Sequence, residues 1–185
     1  AYASGLQAGK TFPLGGFPPG DQPPVASDAP KLMIFSPHPD DECIIGALPL
    51  RLRRESSWRV INVAVTQGSN KARQAERLAE LKGACGYLGF ELVQTAPNGL
   101  ERVQPKCRDE DPQHWKSMVL RIAELLESTQ PRAIALPHED DGIATHMGVH
   151  WLVMDALAHV GNRVTSQLIE TEYWRPIRSP NLMVE

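Results

Sequence analysis

The stretch Leu32-Met33-Ile34-Phe35-Ser36-Pro37-His38-Pro39-Asp40-Asp41-Glu42 carries most of what the chain says about its fold. A short apolar run ending in a tight, proline-containing polar turn reads as a strand over 32–37. In open α/β folds, ligands bind outside the carboxyl ends of such strands. The turn therefore brings one imidazole and three carboxylates to a ligand-binding edge within five residues. His38 and Asp41 have the donor chemistry to bind a metal together, leaving Asp40 free to act on a water at that metal. A helix N-cap would account for one aspartate. It accounts for neither the histidine nor the clustering.

Outward from this turn, strand-like and helix-like patterns alternate from Lys31 onward, which predicts an α/β fold with a mostly parallel sheet. Strands are expected at 32–37, 58–66, 90–95 and 132–137, and helices at 42–55, 71–88, 112–129 and 146–160. The helix over 71–88 carries Leu78, Leu81, Cys85 and Leu88 on one stripe, with Gly86 and Gly89 marking its end. Residues 97–111 are polar and irregular, as for a surface loop near the site. Glu172 to Ile177 reads as a strand broken by Pro176, and Leu182-Met183-Val184 as a further strand-like run. The Gly- and Pro-rich residues 1–30, with Pro-Leu-Gly-Gly-Phe-Pro-Pro-Gly at 13–20, read as an arm ahead of a single domain over 31–185.

Composition narrows the function class. The chain of 185 residues is 42% hydrophobic and 22% charged, ordinary for a globular domain with a full core. A net charge of −3 argues against nucleic acid or an anionic membrane as partner. The cluster Arg51, Arg53 and Arg54 closes a predicted helix, where cations suit the dipole. Three cysteines are too few and too scattered for a disulfide framework, and Cys43 and Cys85 are expected to be small core residues. No apolar run is long enough to span a bilayer, and a cytoplasmic location is the expectation. Because the first residue is Ala rather than Met, something upstream is expected to have been removed.

A second strand end carries unusual chemistry: Pro137-His138-Glu139-Asp140-Asp141-Gly142-Ile143-Ala144-Thr145-His146, with His150 one helical turn later. If both strands are parallel and central, both turns open on the same edge. One imidazole of the second turn would then complete a His-Asp-His set with open positions, as in catalytic zinc sites. His146 and His150, four residues apart, could instead chelate together. Glu42 either binds a substrate hydroxyl or suits a helix N-terminus as an anion. Arg73 and Arg77 are candidates for substrate binding or for pairing with Glu76 and Glu80.

Pro37-His38-Pro39-Asp40-Asp41-Glu42 after a first strand, with Pro137-His138-Glu139-Asp140-Asp141-Gly142 and then His146 leading into a helix, resembles the LmbE/PIG-L family of zinc-dependent N-acetylglucosaminyl deacetylases. Val65-Thr66-Gln67-Gly68, the run Arg77-Leu78-Ala79-Glu80-Leu81 and Leu88-Gly89-Phe90 are also similar to that family. The resemblance covers roughly residues 31–185 and implies a Rossmann-like three-layer sandwich. It implies Zn²⁺ held by His38, Asp41 and His146, with Asp40 as general base. The family's usual His-Pro-Asp-His is replaced here by Ile143-Ala144-Thr145-His146, so Ile143 stands where a histidine would assist the intermediate. His138 is the first choice for that catalytic role, and Glu42 and Arg73 for binding substrate. The expected function is removal of the N-acetyl group from an amino-sugar small molecule. The alternative is a non-catalytic metal- or carbohydrate-binding member of the same fold.

Overall fold

Two strand ends separated by a long stretch of sequence meet in the middle of one sheet. The computed structural model describes residues 21–182. Five strands, β1 (Lys31–Ser36), β2 (Arg59–Ala64), β3 (Glu91–Gln94), β4 (Ala133–Pro137) and β5 (Gln167–Thr171), pair in the order β3-β2-β1-β4-β5. Every pairing is parallel. The chain winds outward from β1 through β2 to β3, then returns to the other side of β1 for β4. The order therefore reverses between β1 and β4, and the loops after those two strands flank the crevice where ligands of such sheets bind.

Helices cover both faces, which gives an α/β, Rossmann-like sandwich. The period-two alternation of β1 divides its side chains between two cores. Met33 and Phe35 pack with α5 (Pro112–Thr129) and α6 (Ala144–Val160), through residues such as Trp115, Ile122, Leu126, Val149 and Leu152. Leu32 and Ile34 face the opposite way, toward Leu50 of α2 (Ala47–Glu55) and Leu81 and Cys85 of α3 (Gln74–Leu88). All four β1 side chains are fully buried, each worth about 1.5–3 kcal/mol on removal from water.

The element boundaries depart from expectation at four places. The helix expected over 42–55 is two, the single-turn α1 (Asp41–Ile44) and α2, with the break at Ile45 and Gly46. Pro49 is the cause, since in a continuous helix its ring would clash with the carbonyl of Ile45. The stretch 97–111 contains a short helix, α4 (Pro105–Glu110), opened by a proline at its first position. In the tail the strand is Gln167–Thr171 rather than 172–177, because its register follows β4. The helix expected over 71–88 begins with a 3-10 turn at Lys71–Arg73 and ends on Gly89, at φ 75°.

Of the N-terminal arm, residues 1–20 lie outside the described residues, as do Met183 and Val184. Residues 21–30 lie along the domain, where Gln22 donates to the carbonyls of Gly86 and Tyr87 and Arg53 donates to that of Pro23. Cys85 is buried as expected, but Cys43 is exposed. No helix among the described residues is long and apolar enough to cross a membrane.

Candidate metal centre and active site

The β1 turn is built around Asp41. The peptide N–H of His38 donates to Asp41 Oδ2 at 2.8 Å, folding the turn back on the first residue of α1. Arg77 of α3 donates to the Pro39 carbonyl at 2.7 Å, and the Thr66 hydroxyl does the same for Pro37 at 2.7 Å. Between these anchors Asp40 takes φ 111°, a conformation that costs a non-glycine residue of order 1–3 kcal/mol. Its N–H donates to Glu42 Oε2 at 3.0 Å, so the Glu42 carboxylate helps to hold the strained turn.

β4 delivers the remaining groups from the other side of the switch point. Asp41 Oδ2 lies 3.4 Å from His38 Nδ1 and 3.4 Å from His146 Nε2. The donor atoms of His38, Asp41 and His146 all fall within 4.8 Å of one another. Tetrahedral zinc with bonds of about 2.0–2.1 Å separates neighbouring ligand atoms by about 3.4 Å, so the spacing suits such an ion. His146 supplies a second indication. Its ring is wholly buried, yet neither nitrogen has a hydrogen bond of good geometry among the described residues. Buried polar atoms are seldom left so, and a metal on Nε2 would satisfy one of them. Burial holds the His146 pKa below its ordinary value, although the Asp41 and Asp141 carboxylates act in the opposite sense. The neutral imidazole so favoured is the metal-binding form.

Asp40 stands beside this trio with its carboxylate mostly in solvent. Partial burial, then the Asp41 carboxylate, push its pKa upward, and Arg77, at 3.6 Å, opposes them. A divalent cation at the trio would also pull it down. Asp40, Glu42, Arg73 and Arg77 line one cleft of about 480 Å³. Within it Glu42 is buried, which raises its pKa, whereas Arg73 is largely exposed and paired with Glu76 at 3.1 Å.

The other histidines take different places. His150 donates from Nδ1 to the Pro137 carbonyl at 2.9 Å and is not among the donors that converge with His146. His138 is buried and donates from Nε2 to the Arg175 carbonyl at 2.7 Å. Ile143 precedes the first turn of α6 without a side-chain cap, and Thr145 is half-buried on that turn.

Two site residues were not anticipated from sequence. Asp141 is wholly buried, with Oδ1 3.2 Å from His146 Nδ1. Its position in the second motif, beside a candidate ligand histidine, was the available signal. Tyr173 packs edge-on against His146, the ring centroids 4.9 Å apart. Burial, followed by the Asp41 carboxylate, pushes its phenol pKa upward. It follows β5 in a segment that carries no local signature of a site.

No curated protein matches the chain. Among solved structures, a conserved protein of Thermus thermophilus superposes with TM-score 0.60 at 22% identity, over 79% of this chain and 67% of that one. The 4-carboxy-2-hydroxymuconate hydratase of Pseudomonas putida gives 0.54 at 17%, over 70% and 56%. The N,N'-diacetylchitobiose deacetylase of Pyrococcus horikoshii gives 0.51 at 19%, over 71% and 50%. The chain thus spans between half and two thirds of these proteins, and at such identities the likeness is one of fold. The sequence match is more specific. The PIG-L model, described as GlcNAc-PI de-N-acetylase, covers residues 33–157, a span that contains both strand ends and every donor of the trio. The chain belongs to the PIG-L family.

Proposed function

We propose that this chain is a zinc-dependent hydrolase that removes the N-acetyl group from an N-acetylglucosamine-type substrate. The observation that carries the reading is the convergence of His38, Asp41 and His146 beside a strained aspartate, Asp40, that is not itself one of the trio. The family description and the deacetylase among the structural neighbours support deacetylation as the reaction class.

His38, Asp41 and His146 would hold the metal, and the two nitrogens and one oxygen suit Zn²⁺. When bound, the ion supplies Lewis acidity for an acyl oxygen and lowers the pKa of water. Asp40 takes the proton as water adds to the acyl carbon. It then returns that proton to the amine nitrogen as the C–N bond breaks, leaving acetate and a free amine. Its position in the cleft with Arg77, exposed and close to the trio, suits that shuttle.

Glu42 and Arg73 line the same cleft and are proposed to meet the sugar hydroxyls. Glu42 also fixes Asp40 through the Asp40 N–H. His138 is retained as a contributor to the oxyanion step. The bond from its Nε2 to Arg175 favours action through the segment that it anchors over direct contact with substrate.

The test is acetate release from N-acetylglucosamine and its glycosides by the purified chain, before and after chelation and with Zn²⁺ restored. Release that chelator abolishes and Zn²⁺ restores supports the reading. A zinc-replete chain that releases no acetate from any of them favours the non-catalytic binding alternative.

A further inference from the structure

We propose that the Tyr173 hydroxyl donates a hydrogen bond to the acyl oxygen as negative charge develops there, a catalytic role from an element outside both motifs. The inference rests on the deacetylase reading and adds to it a donor that Ile143 cannot supply. The residue before α6, Ile143, has an alkyl side chain and cannot donate.

Three observations point to Tyr173. Its hydroxyl is buried and has no hydrogen-bond partner among the described residues. The Thr171 hydroxyl beside it donates to the Leu136 carbonyl at 2.9 Å, and its oxygen acts against the upward push on the phenol pKa without making a hydrogen bond of full geometry. A buried, unpartnered phenol is uncommon, because these groups usually find an acceptor. An acceptor that arrives only with substrate accounts for the unpaired hydroxyl. Second, the ring stands edge-on against His146, one of the three donors of the metal trio.

Third, the segment carrying Tyr173 is fastened across the β4–α6 loop on both sides of it. The His138 N–H donates to the Thr171 carbonyl at 3.2 Å, and His138 Nε2 donates to that of Arg175 at 2.7 Å. The Trp174 N–H reaches Asp141 Oδ2 at 3.3 Å, and Arg175 pairs with Asp140. These bonds fix the backbone around the phenol before substrate arrives, which is the condition for a donor to stabilise charge without reorganising. The phenol acts only as a hydrogen-bond donor and keeps its proton throughout. Asp40 alone carries the proton from water to the leaving amine.

Tyr173→Phe in the full, zinc-loaded chain tests this, because it removes one oxygen and keeps the ring packed on His146. The expected results are a kcat about 10²–10³-fold lower with KM little changed, together with unchanged Tm and zinc content. Calorimetry with methylphosphonate, whose tetrahedral oxygens stand in for those of the intermediate, should show weaker binding to the variant. Unchanged kcat and methylphosphonate affinity in a zinc-replete variant would overturn the proposal. So would loss of zinc, which would make Tyr173 a support for the metal ligands. If the wild type releases no acetate but the variant still loses methylphosphonate affinity, the deacetylase reading fails and the donor assignment stands.

Discussion

His146 Nδ1 lies 3.2 Å from Asp141 Oδ1, and both side chains are wholly buried. With Nε2 turned toward Asp41, this leaves His146 a carboxylate on one nitrogen and the candidate metal position on the other. Carboxylates beside the second nitrogen of a metal-ligating histidine commonly orient the ring, and losing such a partner typically costs 10–100-fold in metal affinity. Asp141→Asn is therefore expected to weaken zinc binding about 10–100-fold, measured by competition with a chromophoric chelator. An affinity equal to wild type would remove Asp141 from the metal's support.

Asp40 separates binding from chemistry. Asp40→Asn should keep zinc and fold while lowering turnover by roughly two to four orders of magnitude, as for a lost general base. Zinc analysis and steady-state kinetics on the same preparation check this. Loss of zinc in that variant would make Asp40 a ligand and exchange the roles of the two aspartates.

His138→Ala is expected to lower kcat far more than zinc content, because the ring fastens the segment on which Tyr173 sits. Zinc content and kcat measured together decide it. Unchanged kcat in the metal-replete variant would exclude His138 from the reaction.

How far the sequence reveals this arrangement depends on what each element answers to. β1 and its turn are legible because a buried apolar run and a cluster of donors are local facts of Leu32 to Glu42. His146 is legible from its place in the second motif. The break between α1 and α2 is also written locally, in Pro49, but an apolar pattern that runs on across it resembles one continuous helix. β5 and Tyr173 are different. Gln167–Thr171 becomes a strand by pairing with β4, and Tyr173 reaches His146 only because His138, Asp140 and Asp141 hold its segment. Such long-range pairing leaves no local periodicity to read. The exposure of Cys43 likewise follows from α1 ending after one turn, which leaves no longer helix to bury that face.

The loop before α4 is fitted to α6 through Gly148. A Cβ added there would stand 2.5 Å from the Val103 carbonyl oxygen and 2.6 Å from its carbon, both backbone atoms. Gly148→Ala is expected to destabilise the fold by about 1–3 kcal/mol, seen as a lower Tm of roughly 2–4 °C per kcal/mol for a chain of this size. A Tm equal to wild type would mean that the loop moves freely from α6.

Zinc content of the purified chain and of His146→Ala, by elemental analysis after extensive dialysis, bears most directly on the His38–Asp41–His146 centre. The wild type should hold about one Zn²⁺ per chain in a site with three protein ligands, and His146→Ala should hold almost none while keeping its fold. Stoichiometric zinc in His146→Ala would contradict the assignment and remove His146 from the metal site.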